Sequence, residues 1–364
     1  MATPEPASLA LRGVAYDTGT NFSTGQGELS RIMWNEDHMV EEISLISDQL
    51  NCNAVTVYGT DHSRLAATAS AALDNGLRVR LQPRLVDHTQ DEILDHLAEG
   101  ARLAQALRAD GGDVELTVGA VHLIFTPGIA PGHPYHQRMA NAYADLDHYL
   151  LEPDGRIDFT EAAGPLNDFL GRAAATARSI FDGPLSYSAA PFEQVDWTPF
   201  DSIGLMYQYL PTYLPAAADH ISLISPYRKW NKPIDIAEYG TATYTDAEKM
   251  AFRFYDIVDR YQDPPRVLDT YTRDESAQAA YHLKMLGIFQ EAGVRGATVS
   301  ELVHPTHPHH FDPSLDLDTA SMCIVKTIRD DFADAGSDYR LEPKESFHAI
   351  ADHYAHIGFQ EAHR

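Results

Sequence analysis

The residues best suited to chemistry fall in three places. In Lys232-Pro233-Ile234-Asp235-Ile236-Ala237-Glu238-Tyr239-Gly240, a short β-branched run delivers a carboxylate where the apolar residues stop and a glycine permits a turn. His122 follows the run Val114-Glu115-Leu116-Thr117-Val118 and the sequence Gly119-Ala120-Val121. Glu301 precedes a histidine-rich stretch, His304-Pro-Thr-His307-Pro-His309-His310. A carboxylate at a strand end serves as nucleophile or general base, and imidazole exchanges protons near neutrality or ligates first-row metals. Each has a plainer reading. Glu238 fits a structural ion pair with an arginine, His122 a satisfied core group, and the His-Pro stretch a surface loop.

The elements that must position these residues alternate regularly. Strands are expected at 11–16, 53–58, 77–82, 114–118, 184–188, 201–207, 234–237 and 296–302. Helices are expected between them, at 37–50, 63–75, 90–108, 160–181, 220–230, 246–261 and 274–292, with a closing amphipathic helix at 348–356. Eight strand-then-helix units without a change of composition predict one (β/α)8 TIM barrel over residues 11–364, after a flexible tail at 1–10. The alternative is a doubly wound open sheet. Its glycine-rich phosphate turn is missing after the first strand, where the chain reads Asp17-Thr-Gly-Thr-Asn21. A loop at 125–158, longer than ordinary connections, is expected to act as a lid.

In such a barrel the C-terminal strand ends share one mouth, so Glu238, His122 and Glu301 are expected to converge there. Asp17, Tyr58, Asp61, Tyr207 and Tyr239 also lie at predicted strand ends and are candidates for substrate binding. Tyr209 joins the tyrosines that would line an apolar or sugar-stacking cleft. The tyrosines also fit packed rims, and the aspartates fit helix caps.

Composition narrows the partners. Lys and Arg number 27 against 53 Asp and Glu, a net charge of −26, with no basic block. Such a surface repels phosphate backbones and anionic lipid, which leaves a small-molecule substrate and disfavours nucleic acid or membrane. The two cysteines, Cys52 and Cys323, lack metal-type spacing and fit buried thiols in a reducing compartment. Without a basic start followed by an apolar run, or a membrane-length apolar stretch, a cytoplasmic location is expected.

The chain resembles a group of actinobacterial barrel proteins labelled abortive-infection proteins, themselves similar to retaining glycoside hydrolases. The resemblance is carried by Arg12-Gly-Val-Ala-Tyr-Asp-Thr-Gly-Thr-Asn21, Cys52-Asn-Ala-Val55, Gly59-Thr-Asp61, Val195-Asp-Trp197, Lys232 through Gly240, Asp316-Leu-Asp-Thr-Ala-Ser321 and Glu342-Pro-Lys-Glu-Ser-Phe347. It implies Glu238 as the nucleophile on the seventh strand and a second Glu at the end of the fourth as acid/base. That second position reads Gly119-Ala120-Val121, and valine carries no proton. Glu115 lies near the other end of the same strand and is no substitute.

Three readings follow. The first is a glycoside-hydrolase-like enzyme acting on a sugar-like or glycosylated small molecule, with Glu238 as nucleophile or base and His122 or His304 replacing the acid. The second is a repurposed barrel carrying out metal-assisted or acid/base lyase, cyclase or oxidative chemistry on a natural-product intermediate. It would use a zinc or iron ion held by His122, Glu238, His304 and His307. The third is a ligand-binding protein that has lost the chemistry.

Overall fold

The structure, a computed structural model, describes residues 8–20, 29–142, 160–209 and 216–362. Seven barrel strands come first: β1 (Leu11–Asp17), β2 (Ala54–Gly59), β3 (Arg78–Pro83), β4 (Val114–Ala120), β5 (Leu185–Ala189), β6 (Ile203–Met206) and β7 (Ile234–Tyr239). A two-residue ribbon, β8 (Val258–Asp259) with β9 (Arg266–Val267), precedes the eighth barrel strand, β10 (Gly296–Val299). The eight pair in parallel in the order β1-β10-β7-β6-β5-β4-β3-β2 and close, as expected of a TIM barrel. An antiparallel hairpin, β11 (Val325–Arg329) with β12 (Tyr339–Pro343), was not foreseen.

Helices α1 (Glu36–Asp48), α2 (His62–Asp74), α3 (Gln90–Ala109), the single turn α4 (His122–Phe125), α5 (Thr160–Arg178), α6 (Ala217–Ile224), α7 (Glu275–Glu291) and α8 (Glu345–Ala362) connect or follow the strands. Caps set several of the starts. Thr89 and Glu92 form a reciprocal capping box on α3, and Asn35, Asp61 and Asp274 cap α1, α2 and α7. Outward side chains such as Val55, Val57, Val79, Leu81, Leu116 and Tyr187 belong to one apolar cluster with the helices.

Inside the barrel the pattern is polar, because successive residues point to opposite faces of a strand. Arg80 reaches Asp235 at 2.5 Å and Glu115 at 3.6 Å, and Arg295 binds Asp235 and, at 3.2 Å, Glu115. Glu115 is therefore committed to an ion cluster among the lower side chains of the barrel, as its place in β4 implied.

Two expected elements differ. The helix at 246–261 is replaced by 3-10 turns at Ala247–Lys249 and Ala251–Ile257, followed by β8. Tyr244, Ala247, Ile257, Val258 and Val267 bury one another in a small separate cluster, and pairing of Val258 with Val267 ends the coiling. The helix at 220–230 splits into α6 and a 3-10 stretch, Ser225–Trp230, whose second residue is Pro226. Leu9, inside the stretch expected to be a tail, is wholly buried. Of the 125–158 loop, residues 143–158 lie outside the described residues. Among the described residues, no helix is long and apolar enough to cross a membrane.

Candidate active site

A bulge aims Glu238. Asp235 and Ala237 both line the barrel interior, so strict alternation would turn Glu238 outward. Against β6, Leu205 pairs with Ile236 and Met206 with Glu238, and against β10 the register slips over the same residues. One extra residue in β7 resets the parity and returns Glu238 to the axis. There its Oε1 accepts from Arg84 Nη2 at 2.8 Å and its Oε2 from Ser300 Oγ at 3.4 Å. Burial raises the Glu238 carboxyl, Arg84 opposes that, and the nearby Glu301 charge adds to it.

Arg84 continues the inward series Arg80, Gln82, Arg84 of β3 and its extension. Its Nε donates to Gln82 Oε1 at 2.6 Å, and its guanidinium carbon stands 3.9 Å from the centre of the Tyr58 ring. Tyr58 hydroxyl donates to Glu301 Oε2 at 2.7 Å, and Glu301 Oε1 meets His304 Nδ1 at 2.9 Å. Although burial opposes both changes, this ion pair holds Glu301 below the usual carboxylate range and His304 above the usual imidazole range. Asp17, at the end of β1, accepts from Gly19 N at 2.7 Å, and burial together with the Glu301 charge raises its carboxyl.

Asp17, Tyr58, Glu238, Glu301 and His304 thus meet at one end of the barrel, linked by hydrogen bonds, an ion pair or electrostatic contact. His307 packs its ring 4.1 Å from that of His304 and is bonded by Tyr255 hydroxyl. Burial, with His304 beside it, pushes its imidazole well down.

Other candidates do not join them. His122 is the principal correction, both as catalytic acid and as metal ligand. Val121 takes a left-handed conformation (φ 46°, ψ 51°), which swings the next residue into the layer between strands and helices. There the His122 ring stacks on outward-facing Tyr187 at 5.4 Å and meets Phe169 of α5 edge-on at 4.8 Å. Its Nε2 donates to Val118 O at 3.1 Å and its Nδ1 accepts from Thr126 Oγ1 at 2.8 Å, so both ring nitrogens are occupied. Burial pushes its imidazole down to about 4.

Asp61 is exposed and accepts from Ser63 N and Arg64 N, which makes it the cap of α2. Tyr207 points outward, with its hydroxyl 2.5 Å from His220 Nδ1 and its ring against Phe289. Tyr239 packs on His282 and Phe289 of α7. Both tyrosines are wall residues: alternation sets Tyr207 outward, and the bulge that turns Glu238 inward turns Tyr239 out. The side chain of Tyr209 lies outside the described residues.

Four residues of this neighbourhood were not anticipated. Arg84 and Ser300 hold Glu238, and Cys323 places its sulfur 4.0 Å from Glu301 Oε1. Glu193 pins the β4–β5 corner by accepting from Leu123 N, Ala190 N and Tyr187 hydroxyl, and burial raises its carboxyl to about 7. Both cysteines are buried free thiols. Among the described residues, the metal-type donors within reach of one another are Glu301, His304 and Cys323. The expected set of His122, Glu238, His304 and His307 is not assembled, since His122 faces the helix layer and Glu238 is held by Arg84.

No family model and no curated protein matches the chain. Solved structures do. A GH113 β-1,4-mannanase superposes with a TM-score of 0.58 at 12% identity, over 96% of this chain and 99% of that one. The GH113 β-mannanase from Alicyclobacillus acidocaldarius gives 0.55 at 15%, over 97% and 99%. The family 1 β-glucosidase from Thermotoga maritima gives 0.53 at 13%, over 98% of each chain. At such identities these likenesses show the fold, a barrel of the glycoside-hydrolase type. The family suggested by the sequence motifs rests on those motifs alone.

Proposed function

We propose that this chain is a glycosidase-like enzyme acting on a sugar-like or glycosylated small molecule, with Glu238 as its nucleophile or base. The observation that carries this reading is the bulge in β7. An extra residue there turns a strand-end carboxylate into the mouth, against an arginine and beside a second carboxylate. A buried carboxylate is expensive to keep, and an arrangement that spends a bulge and a buried arginine on one is better explained by chemistry than by packing.

With valine at 121 and His122 in the helix layer, the proton held between Glu301 and His304 takes the place of the missing acid. Glu301 follows β10, the immediate neighbour of β7. The Glu301 charge acts on Glu238, so the two carboxyl groups are within electrostatic reach of one another, and double displacement needs them ~5–5.5 Å apart. Glu238 would form a bond to the anomeric carbon as the leaving oxygen departs with its electron pair and takes that proton. Water would then displace Glu238 and return a proton to the pair. The net charge of −26 supports a small-molecule substrate over nucleic acid.

The test is a panel of α- and β-aryl glycosides with activated leaving groups, which depart with little protonation. Turnover by the native chain that falls at least ~100-fold in Glu238→Gln is the expected result. No turnover on any member of the panel overturns the reading. A second reading, metal-assisted chemistry on a non-sugar metabolite, is favoured by the three metal-type donors beside Glu238.

A further inference from the structure

We infer that Glu301, His304 and Cys323 form a binding site for a divalent transition ion of the zinc class, occupying the place that a proton holds between Glu301 and His304. One donor atom from each residue lies within 4.8 Å of the others. Glu301 Oε1 is 2.9 Å from His304 Nδ1 and 4.0 Å from Cys323 Sγ. Around a tetrahedral zinc, with bonds of ~2.0–2.2 Å to oxygen and nitrogen and ~2.3 Å to sulfur, such donors stand about 3.3–3.6 Å apart. The oxygen–nitrogen pair must therefore open slightly, the oxygen–sulfur pair close slightly, and the nitrogen–sulfur pair, within 4.8 Å, must match that spacing as well.

The backbone around the three is fixed. Ile324 N donates to Glu301 O at 3.1 Å and Val325 N to Leu302 O at 3.0 Å, clamping the cysteine segment to the glutamate segment. Cys323 N donates to Ser321 Oγ at 3.0 Å. Tyr58 holds the second oxygen of Glu301, the outer-shell support that orients a ligating carboxylate.

Charge points the same way. Buried Asp17 and Glu238 and partly buried Glu301 gather in one region, and Arg84 answers Glu238. Asp17 and Glu301 repel each other, and His304 and the Arg31 charge are set against that repulsion. A divalent ion relieves that repulsion. Thiolate and imidazole donors select zinc, iron(II) or cobalt(II) over calcium or magnesium. Three protein donors leave one position for water or a ligand oxygen, the donor count of catalytic zinc sites.

The ion would displace the proton assigned above to the leaving oxygen, so this inference rests on the metal-assisted reading rather than the glycosidase one, and its test reads binding rather than turnover. The full chain, stripped with chelator and dialysed, is titrated with cobalt(II) and separately with zinc, with calcium and magnesium as controls. The expected result is one equivalent of cobalt(II) and a thiolate-to-cobalt charge-transfer band in the near ultraviolet, which one equivalent of zinc bleaches. Cys323→Ser abolishes the band, Cys52→Ser keeps it, and His304→Ala weakens zinc binding at least ~100-fold. Tyr58→Phe, which leaves all three ligands in place, weakens it ~10- to 100-fold. Absence of a thiolate band in the folded native chain overturns the proposal. So does a zinc stoichiometry and affinity unchanged in both Cys323→Ser and His304→Ala.

Discussion

The position of His122 makes a prediction that separates a core histidine from a catalytic one. Nε2 donates to a carbonyl and Nδ1 accepts from Thr126, so the ring is neutral, and a second proton must enter between Phe169 and Tyr187. The imidazole falls from 6.5 to about 4. At ~1.36 kcal/mol per pH unit, that is worth about 3 kcal/mol of stability. The sign follows from the depressed value. The contribution is complete above 6.5, is lost as pH falls from 6.5 towards 4, and is gone below that. His122→Gln removes the titrating group while leaving a donor for Val118 O. At pH 7.5 it should be less stable than the native chain by ~1–2 kcal/mol, through the lost Thr126 bond and ring packing. Urea unfolding at intervals from pH 7.5 to 4 should then show that gap shift by about 3 kcal/mol in favour of the variant. Parallel stability curves would refute the buried-neutral assignment. A general acid contributes ~10²- to 10⁴-fold to a rate, so a loss of that size in kcat on a substrate with a poor leaving group, at unchanged stability, would refute the exclusion of His122 from the chemistry.

Two further predictions follow from the ion pair and the cap. Arg84→Met leaves the buried Glu238 without its guanidinium and should lower stability by about 3–5 kcal/mol at neutral pH. Adding Glu238→Gln should restore most of that loss, and simple additivity in urea unfolding would show that the two side chains are not coupled. Asp61→Ala should lower stability by ~1 kcal/mol through the lost α2 cap, with KM unchanged. A raised KM would return Asp61 to the substrate.

The barrel was legible because its strands are short, bounded runs with an apolar outward face, and because strand and helix alternate regularly along the chain. What the sequence carried poorly was direction. His122 lies one residue beyond a strand end, yet the left-handed Val121 turns it into the helix layer. Tyr207 and Tyr239 lie at strand ends but on the outward parity. Glu238 was placed at the mouth by its position alone, although strict alternation would have sent it outward and only the bulge brings it in. Arg84 had a visible signal, the period-two series Arg80, Gln82, Arg84, which Pro83 appeared to terminate. Cys323 had none. It comes to Glu301 through backbone hydrogen bonds from Ile324 and Val325, and nothing local in sequence announces such a pairing.

The placement of the charged groups around the ring says how this mouth differs from one with acids on opposite sides. Going round the barrel, β7, β10, β1, β2 and β3 are consecutive neighbours. Their ends, or the residues just beyond, supply Glu238, Glu301, Asp17, Tyr58 and Arg84. On the remaining arc, the residues just beyond β4 and β6 face outward: His122 stacks on Tyr187, and Tyr207 packs against Phe289. Val121 leaves the end of β4 without an acid, and Glu301 supplies one just beyond β10. An acid at the end of β4 would stand across the opening from β7, whereas Glu301 stands beside it. Carboxylates on adjacent strands repel one another unless a cation or a shared proton lies close by. Arg84 and His304 occupy those places, which ties the electrostatics of the site to the order in which the strands close the barrel.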